Sequence, residues 1–166
     1  MPFIPEISMR ALALTALAGL ALAACSPPAE APGTSEPAAG PAPVLAGVDL
    51  TQPLRVGGNE PVWSVEMTGS EMVYSGVDRP EQRAPQGEPK VQGTMAVWES
   101  TTGAGNSLKV TLTATDCSDG MSSRTYPLTA MVRIGDETLM GCAATVSAIM
   151  STGESGRVVE PAQPAV

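Results

Sequence analysis

From Ser107 to Thr115 apolar and polar residues alternate without a break. Leu108, Val110, Leu112 and Ala114 fall on one side, Lys109, Thr111, Thr113 and Thr115 on the other. The same period of two runs through Trp63, Val65 and Met67 against Ser64 and Glu66, and through Leu128, Ala130, Val132 and Ile134 against Thr129, Met131 and Arg133. Successive side chains of a strand point to opposite faces, so this pattern predicts strands with one face buried. Weaker candidates are Leu54–Val56, Glu71–Ser75, Val91–Trp98 and Glu137–Ser147. Turn chemistry separates them: Thr68-Gly69-Ser70, Gly103-Ala104-Gly105-Asn106, and Gly135-Asp136, a pair suited to a primed hairpin turn. Only Ala143–Met150 suggests a short helix, and Gly76–Pro89, polar and with three prolines, reads as a long loop. The expected fold is all-β: a small antiparallel barrel or sandwich of about six to eight strands over residues 50–152.

The amino end carries a different pattern. Ala11–Leu22 is an uncharged apolar run preceded by Arg10, long enough for the core of an export signal and too short to span a bilayer. It leads into Leu22-Ala23-Ala24-Cys25, which resembles the lipobox of bacterial lipoproteins. That resemblance implies removal of residues 1–24 and acylation of Cys25; an ordinary secretory signal cleaved after Ala24 is the alternative. Ser26 stands after the cysteine in place of Asp, which in such lipoproteins implies the inner leaflet of the outer membrane, facing the periplasm. Residues 25–49 are then a lipidated cysteine and a linker rich in Pro, Ala, Gly, Ser and Glu, a composition unable to offset its own ordering entropy. In polyproline geometry the stretch 26–47 would reach ~70 Å. Residues 153–166, again with Pro, Ser and Glu, are expected to fray as a disordered tail.

Composition narrows the chemistry. The 166 residues hold nine Lys+Arg against seventeen Asp+Glu, a net charge of −8, and no histidine. Schemes built on Ser-His-Asp, Cys-His or zinc-bound histidine are excluded. So strong an acidic balance argues against nucleic acid, which needs clustered cations.

Beyond Cys25 two cysteines remain, Cys117 and Cys142. In an oxidising compartment an even pair reads as a disulfide, and its loop corresponds to ~3.5 kcal/mol in the chain-entropy model. A redox pair lacks the usual C-x-x-C spacing, and a free or metal-bound pair is the other alternative. Seven methionines are scattered from Met67 to Met150, which favours core filling over a thioether copper site.

Two polar clusters are candidate binding residues. In Gly57-Gly58-Asn59-Glu60-Pro61-Val62-Trp63, Asn59 and Glu60 would stand at a barrel mouth if they are more than a turn into a strand. In Asp116-Cys117-Ser118-Asp119-Gly120-Met121-Ser122-Ser123-Arg124, the residues Asp119, Ser122 and Arg124 would face a partner; a solvated Asx-type turn is the plainer reading. This is not a calcium loop: with Gly120 at the sixth position, Thr115 and Cys117 fall where carboxylates are required. No catalytic constellation, metal site or cofactor site is expected.

Glu60-Pro61-x-Trp63, Asp116-Cys117-Ser118-Asp119-Gly120-Met121-Ser122, Tyr126-Pro127 and Gly141-Cys142-Ala143 together resemble an uncharacterised family of bacterial envelope lipoproteins with a C-DGMSD…YP…GCA signature. Ser123 stands where that signature has Asp. The resemblance implies an envelope location and a paired Cys117 and Cys142. Looser likenesses in size and strand content are to MliC-type lysozyme inhibitors and META/HslJ-like domains. The expectation is a lipid-anchored, non-enzymatic β domain for binding or envelope maintenance, its partner an envelope protein. An MliC-like inhibitor of cationic c-type lysozyme is the alternative.

Overall fold

The computed structural model describes residues 41–161; the expectations for the export segment, Cys25 and the first part of the linker lie outside them. In chain order the strands are β1 (Val44–Leu45), β2 (Val48–Asp49), β3 (Leu54–Asn59), β4 (Val62–Met67), β5 (Glu71–Gly76), β6 (Arg79–Pro85), β7 (Lys90–Gln92), β8 (Met95–Thr101), β9 (Ser107–Thr113), β10 (Ser123–Thr125), β11 (Leu128–Ile134) and β12 (Glu137–Thr145). The helix α1 (Val146–Ser151) and the strand β13 (Ser155–Arg157) follow. Nine strands form one antiparallel sheet in the order β6-β5-β4-β3-β12-β11-β9-β8-β7.

The alternation read from the sequence orients these strands. Trp63, Val65 and Met67 of β4, Leu108, Val110 and Leu112 of β9, and Leu128, Ala130, Val132 and Ile134 of β11 are all buried in one core. The register places Val132 opposite Val110 and Leu139, so the apolar faces coincide across three strands. The sheet is curled into a half-barrel around this core, which fits the all-β expectation of a barrel or sandwich.

Chain connectivity explains the curl. Strands β6 and β7 lie on opposite edges of the sheet, yet only residues 86–89 join them. The five Cα steps from Pro85 to Lys90 cover at most ~19 Å, whereas the eight interstrand spacings of a flat sheet would hold its edges about 38 Å apart. The antiparallel order also gives β6 and β7 the same direction, so they are successive lengths of one path, bonded first to β5 and then to β8. Counted as one position they leave eight. The seam is drawn together by Gly103 N–H donating to Arg83 O at 2.9 Å, and by Gln82 Oε1 accepting from Thr102 Oγ1 at 3.2 Å and Asn106 Nδ2 at 2.8 Å. Across the mouth Arg79 pairs with Glu137 of β12.

Residues 76–89, expected to be a loop, form β6 over Arg79–Pro85. Its prolines are compatible with an edge strand, and Pro80 falls at the register shift between Tyr74 and Gly76, where a ladder N–H is dispensable. Arg83 binds Glu71 across the strands and Glu81 along its own, so the polar sequence lies on the wet face of a strand.

Two further expectations are corrected. The end of the linker is ordered: β1 and β2 make a tight hairpin through Ala46 and Gly47, both at positive φ, and Leu45, Val48 and Leu50 join the core. The tail is ordered to Glu160. Strand β13 runs parallel to β10, and Val158 is wholly buried with Ala144 and Ala148 in a second, small cluster against Tyr126 and Ile149. The helix α1 begins three residues later than the earliest start expected, where the Thr145 side chain caps it by accepting from Ala148 N–H at 3.2 Å. Glu160 accepts hydrogen bonds from Thr145 and Ser147, and Arg157 grips Asp116 at 2.7 and 2.8 Å.

Cys117 and Cys142 form a disulfide, as the sequence predicted, with their Cα atoms 5.5 Å apart. It fastens the 116–126 loop to β12, next to Gly141. There β3 and β12 come so close that a Cβ on Gly141 would stand 2.0 Å from Gly57 O. Such a clash with backbone cannot be relieved by a rotamer change. We expect Gly141→Ala to cost at least ~2–3 kcal/mol in a denaturant titration, and Gly87→Ala, with open space at its Cβ, to stay within ~0.5 kcal/mol. Replacing both Cys117 and Cys142 by serine is expected to cost ~2–4 kcal/mol by the same measurement.

Candidate functional site

The outer face of β3, β4 and β5 carries a row of minimal side chains. Gly57 lies opposite Ser64, which lies opposite Ser75. On the inner face the adjoining row is Gly58, Trp63 and Gly76, with the indole of Trp63 closing over Gly58: a Cβ there would stand 2.6 Å from Trp63 Nε1. At this place the sheet is nearly bare on its outer side, and a groove of about 510 Å³ opens over it. Its floor is the row of Gly57, Ser64 and Ser75. One wall is built from the second layer, by Asp119, Arg124, Tyr126 and Ile149, and the opposite rim carries Val62 and Val77. These two valines are more than half exposed, and Val77 N–H donates to Val62 O at 3.1 Å, so the rim is one continuous edge.

The structure brings Asn59, Asp119 and Arg124 of the expected binding residues to this groove, although in supporting roles. Asn59 donates from Nδ2 to Asp119 O at 2.7 Å, joining the end of β3 to a loop 60 residues away. Asp119 is the organiser of that loop. Its Oδ1 accepts from Met121 N–H at 3.0 Å and Ser122 N–H at 2.8 Å, and its Oδ2 accepts from the Ser122 hydroxyl at 2.8 Å and Tyr126 OH at 3.3 Å. Ser122 is therefore a partner of Asp119 within the loop. Arg124 is turned to the tail: Nε donates to Gly153 O at 2.7 Å and one terminal nitrogen to Thr152 O at 3.0 Å, with Glu154 at 3.7 Å. It thereby occupies carbonyls just beyond α1. Glu60 is exposed in the β3–β4 turn and is not part of the groove's wall.

Electrostatics supports the structural role of Asp119. Partial burial by itself pushes its carboxyl up, but the hydrogen bonds from Ser122 N–H, Met121 N–H, the Ser122 hydroxyl and Tyr126 outweigh that and hold it below the ordinary carboxylate value. Hydrogen bonding from Arg157 likewise lowers Asp116. Among the described residues no group of three His, Cys, Asp and Glu converges as a metal site would require.

The floor of the groove escaped the sequence reading. Gly57, Ser64 and Ser75 are unremarkable singly, and only the register of three strands aligns them. The available signal was the outward, non-apolar phase of β4, which placed Ser64 away from the core. No protein-family model, curated protein or solved structure matches the chain.

Because the folded pKa of Asp119 lies below its unfolded value, its contribution to stability is present in full above the unfolded value of ~3.9 and is lost as pH falls through the folded one. We expect the amide resonances of Met121 and Ser122 to move together below that range in the wild type and to stay still in Asp119→Asn. At neutral pH the variant should be less stable by ~1–2 kcal/mol in a denaturant titration.

Proposed function

We propose that this protein is a lipid-anchored component of the bacterial envelope whose β domain is a non-enzymatic binding module, with the groove over Gly57, Ser64 and Ser75 as its contact surface. The observation that carries the reading is the combination of a bare, backbone-lined floor with an exposed apolar rim at Val62 and Val77. Surface positions without side chains let another chain approach a sheet closely, and adjacent exposed apolar groups supply the area that drives association. On the wall of the groove Asn59, Asp119 and Arg124 are already occupied in holding the loop and tail, which suits a preorganised surface. The anchoring part of the proposal rests on the Leu22-Ala23-Ala24-Cys25 resemblance and the proline-rich segment that follows.

An MliC-like inhibition of c-type lysozyme is the second reading, favoured by the net charge of −8, since complementary charge speeds encounter with a cationic enzyme. Stoichiometric, dose-dependent protection of cell walls from lysozyme would establish it.

Two measurements test the main reading in cells. Palmitate labelling should be lost in Cys25→Ala; retention would remove the anchor. A photocrosslinking residue at position 64 should yield a discrete adduct that the same residue at position 92, on the far edge strand, does not. Equal or absent adducts at the two positions would sink the groove as the contact surface.

A further inference from the structure

The charges around the groove are unequally matched. Among the described residues every Lys and Arg except Arg133 has a carboxylate within ion-pair distance: Arg55 with Glu66, Arg79 with Glu137, Arg83 with Glu71 and Glu81, Lys90 and Lys109 with Glu99, Arg124 with Glu154, and Arg157 with Asp116. The carboxylates left without a cation include Glu60 and Asp78. These two sit in neighbouring turns, Glu60 between β3 and β4 and Asp78 between β5 and β6, and both are exposed. The bond from Val77 N–H to Val62 O brings the two turns together beside the apolar rim; neither carboxylate lines the groove itself, whose charged lining is Asp119 with Arg55 and Arg124, each of these cations already paired with a carboxylate. Arg133 lies on β11, opposite Lys109 and Thr138, and does not line the groove.

A second geometric fact limits the shape of an occupant. The floor is three strands wide and offers Gly57, Ser64 and Ser75, with no longer side chain in the row. A main chain can lie against it, whereas a bulky rigid group would meet the wall formed by Tyr126 and Ile149. Along β3 the outward positions are Arg55, Gly57 and Asn59, so the bare part of the floor runs across the strands, over Gly57, Ser64 and Ser75, for about 10 Å.

We propose that the groove takes an extended, cationic polypeptide segment of a partner protein. Its apolar side chains rest on Val62, Val77 and Ile149, and its cationic side chain reaches Glu60 and Asp78. This rests on the groove being the contact surface, and it adds the chemistry of the partner. The pairing is one of complementary charge at a partly apolar surface, which gives salt-dependent binding and selects against acidic segments.

The probes are two fluorescein-labelled peptides, acetyl-Lys-Val-Ala-Val-Lys-amide and its twin with Glu in place of both Lys, titrated by anisotropy into the full-length chain in a neutral detergent. We expect the lysine peptide to bind at least about tenfold more tightly than the glutamate peptide, and the preference to shrink as salt is added. The double variant Glu60→Gln/Asp78→Asn, at two exposed turn positions, should abolish that preference. Ser64→Trp should block binding by filling the floor, and Val77→Ser, which fills nothing and buries nothing, should weaken it with unchanged thermal unfolding. Equal binding of the two peptides, a preference for the glutamate peptide, or lysine-peptide binding indifferent to Ser64→Trp and Val77→Ser would each overturn the proposal. Absence of binding by either peptide would overturn it too. A position-64 crosslink persisting in cells would then show that the groove has an occupant of different chemistry.

Discussion

The structure depends on a short piece of chain, residues 86–89, that must join the two outermost strands of the sheet. A nine-stranded sheet left flat would put those edges about twice as far apart as four residues can bridge. Curling is therefore imposed by connectivity and made favourable by a core in which every strand from β3 to β6, and β8, β9, β11 and β12, buries at least one side chain. Once the sheet is curled, its convex face becomes a surface that needs its own covering. The residues inserted between β9 and β11, together with α1 and the tail, supply that second layer over β12.

Covering only part of the convex face creates the groove. The second layer stops at Tyr126 and Ile149, where the next strands outward present glycine and serine. Had larger residues occupied Gly57, Ser64 or Ser75, they would have filled the step between one layer and two. The polar residues near the step are spent on fixing its height: Asn59 holds the loop, Asp119 shapes it, and Arg124 secures the tail behind it.

Strands were legible where one face meets the core and the other meets water, as at β4, β9 and β11, because burial then stamps a period of two on the sequence. Strand β6 was not, since an edge strand contributes little to the core; of its residues only Ala84 is buried among prolines and charges that resemble a loop. The tail was missed for a related reason: it buries one apolar residue, Val158, and is otherwise held by backbone pairing and polar contacts, and single residues carry no period. The disulfide was readable by elimination, Asp119 and Arg124 stood out as polar residues following a strong strand, and Asn59 stood out in a glycine-rich turn leading into one. The tasks of Arg124 and Asn59 were not readable, because the atoms they bind, Gly153 O and Asp119 O, are distant in sequence and belong to the backbone, whereas the bonds from Met121 and Ser122 N–H to Asp119 are local and fit the Asx-type turn.

The hairpin of β1 and β2 also gives the domain a direction. It leads into β3 at Leu54, next to the end of β12, where Val146 N–H donates to Pro53 O at 2.9 Å. The turns holding Glu60, Asp78 and Asp136 lie at the opposite end of these strands. The described chain thus enters the domain at one pole, and the acidic turns mark the other. Entry and exposed turns are separated by the full length of β3 and β4, so a change at either pole leaves the hydrogen bonding of the other untouched.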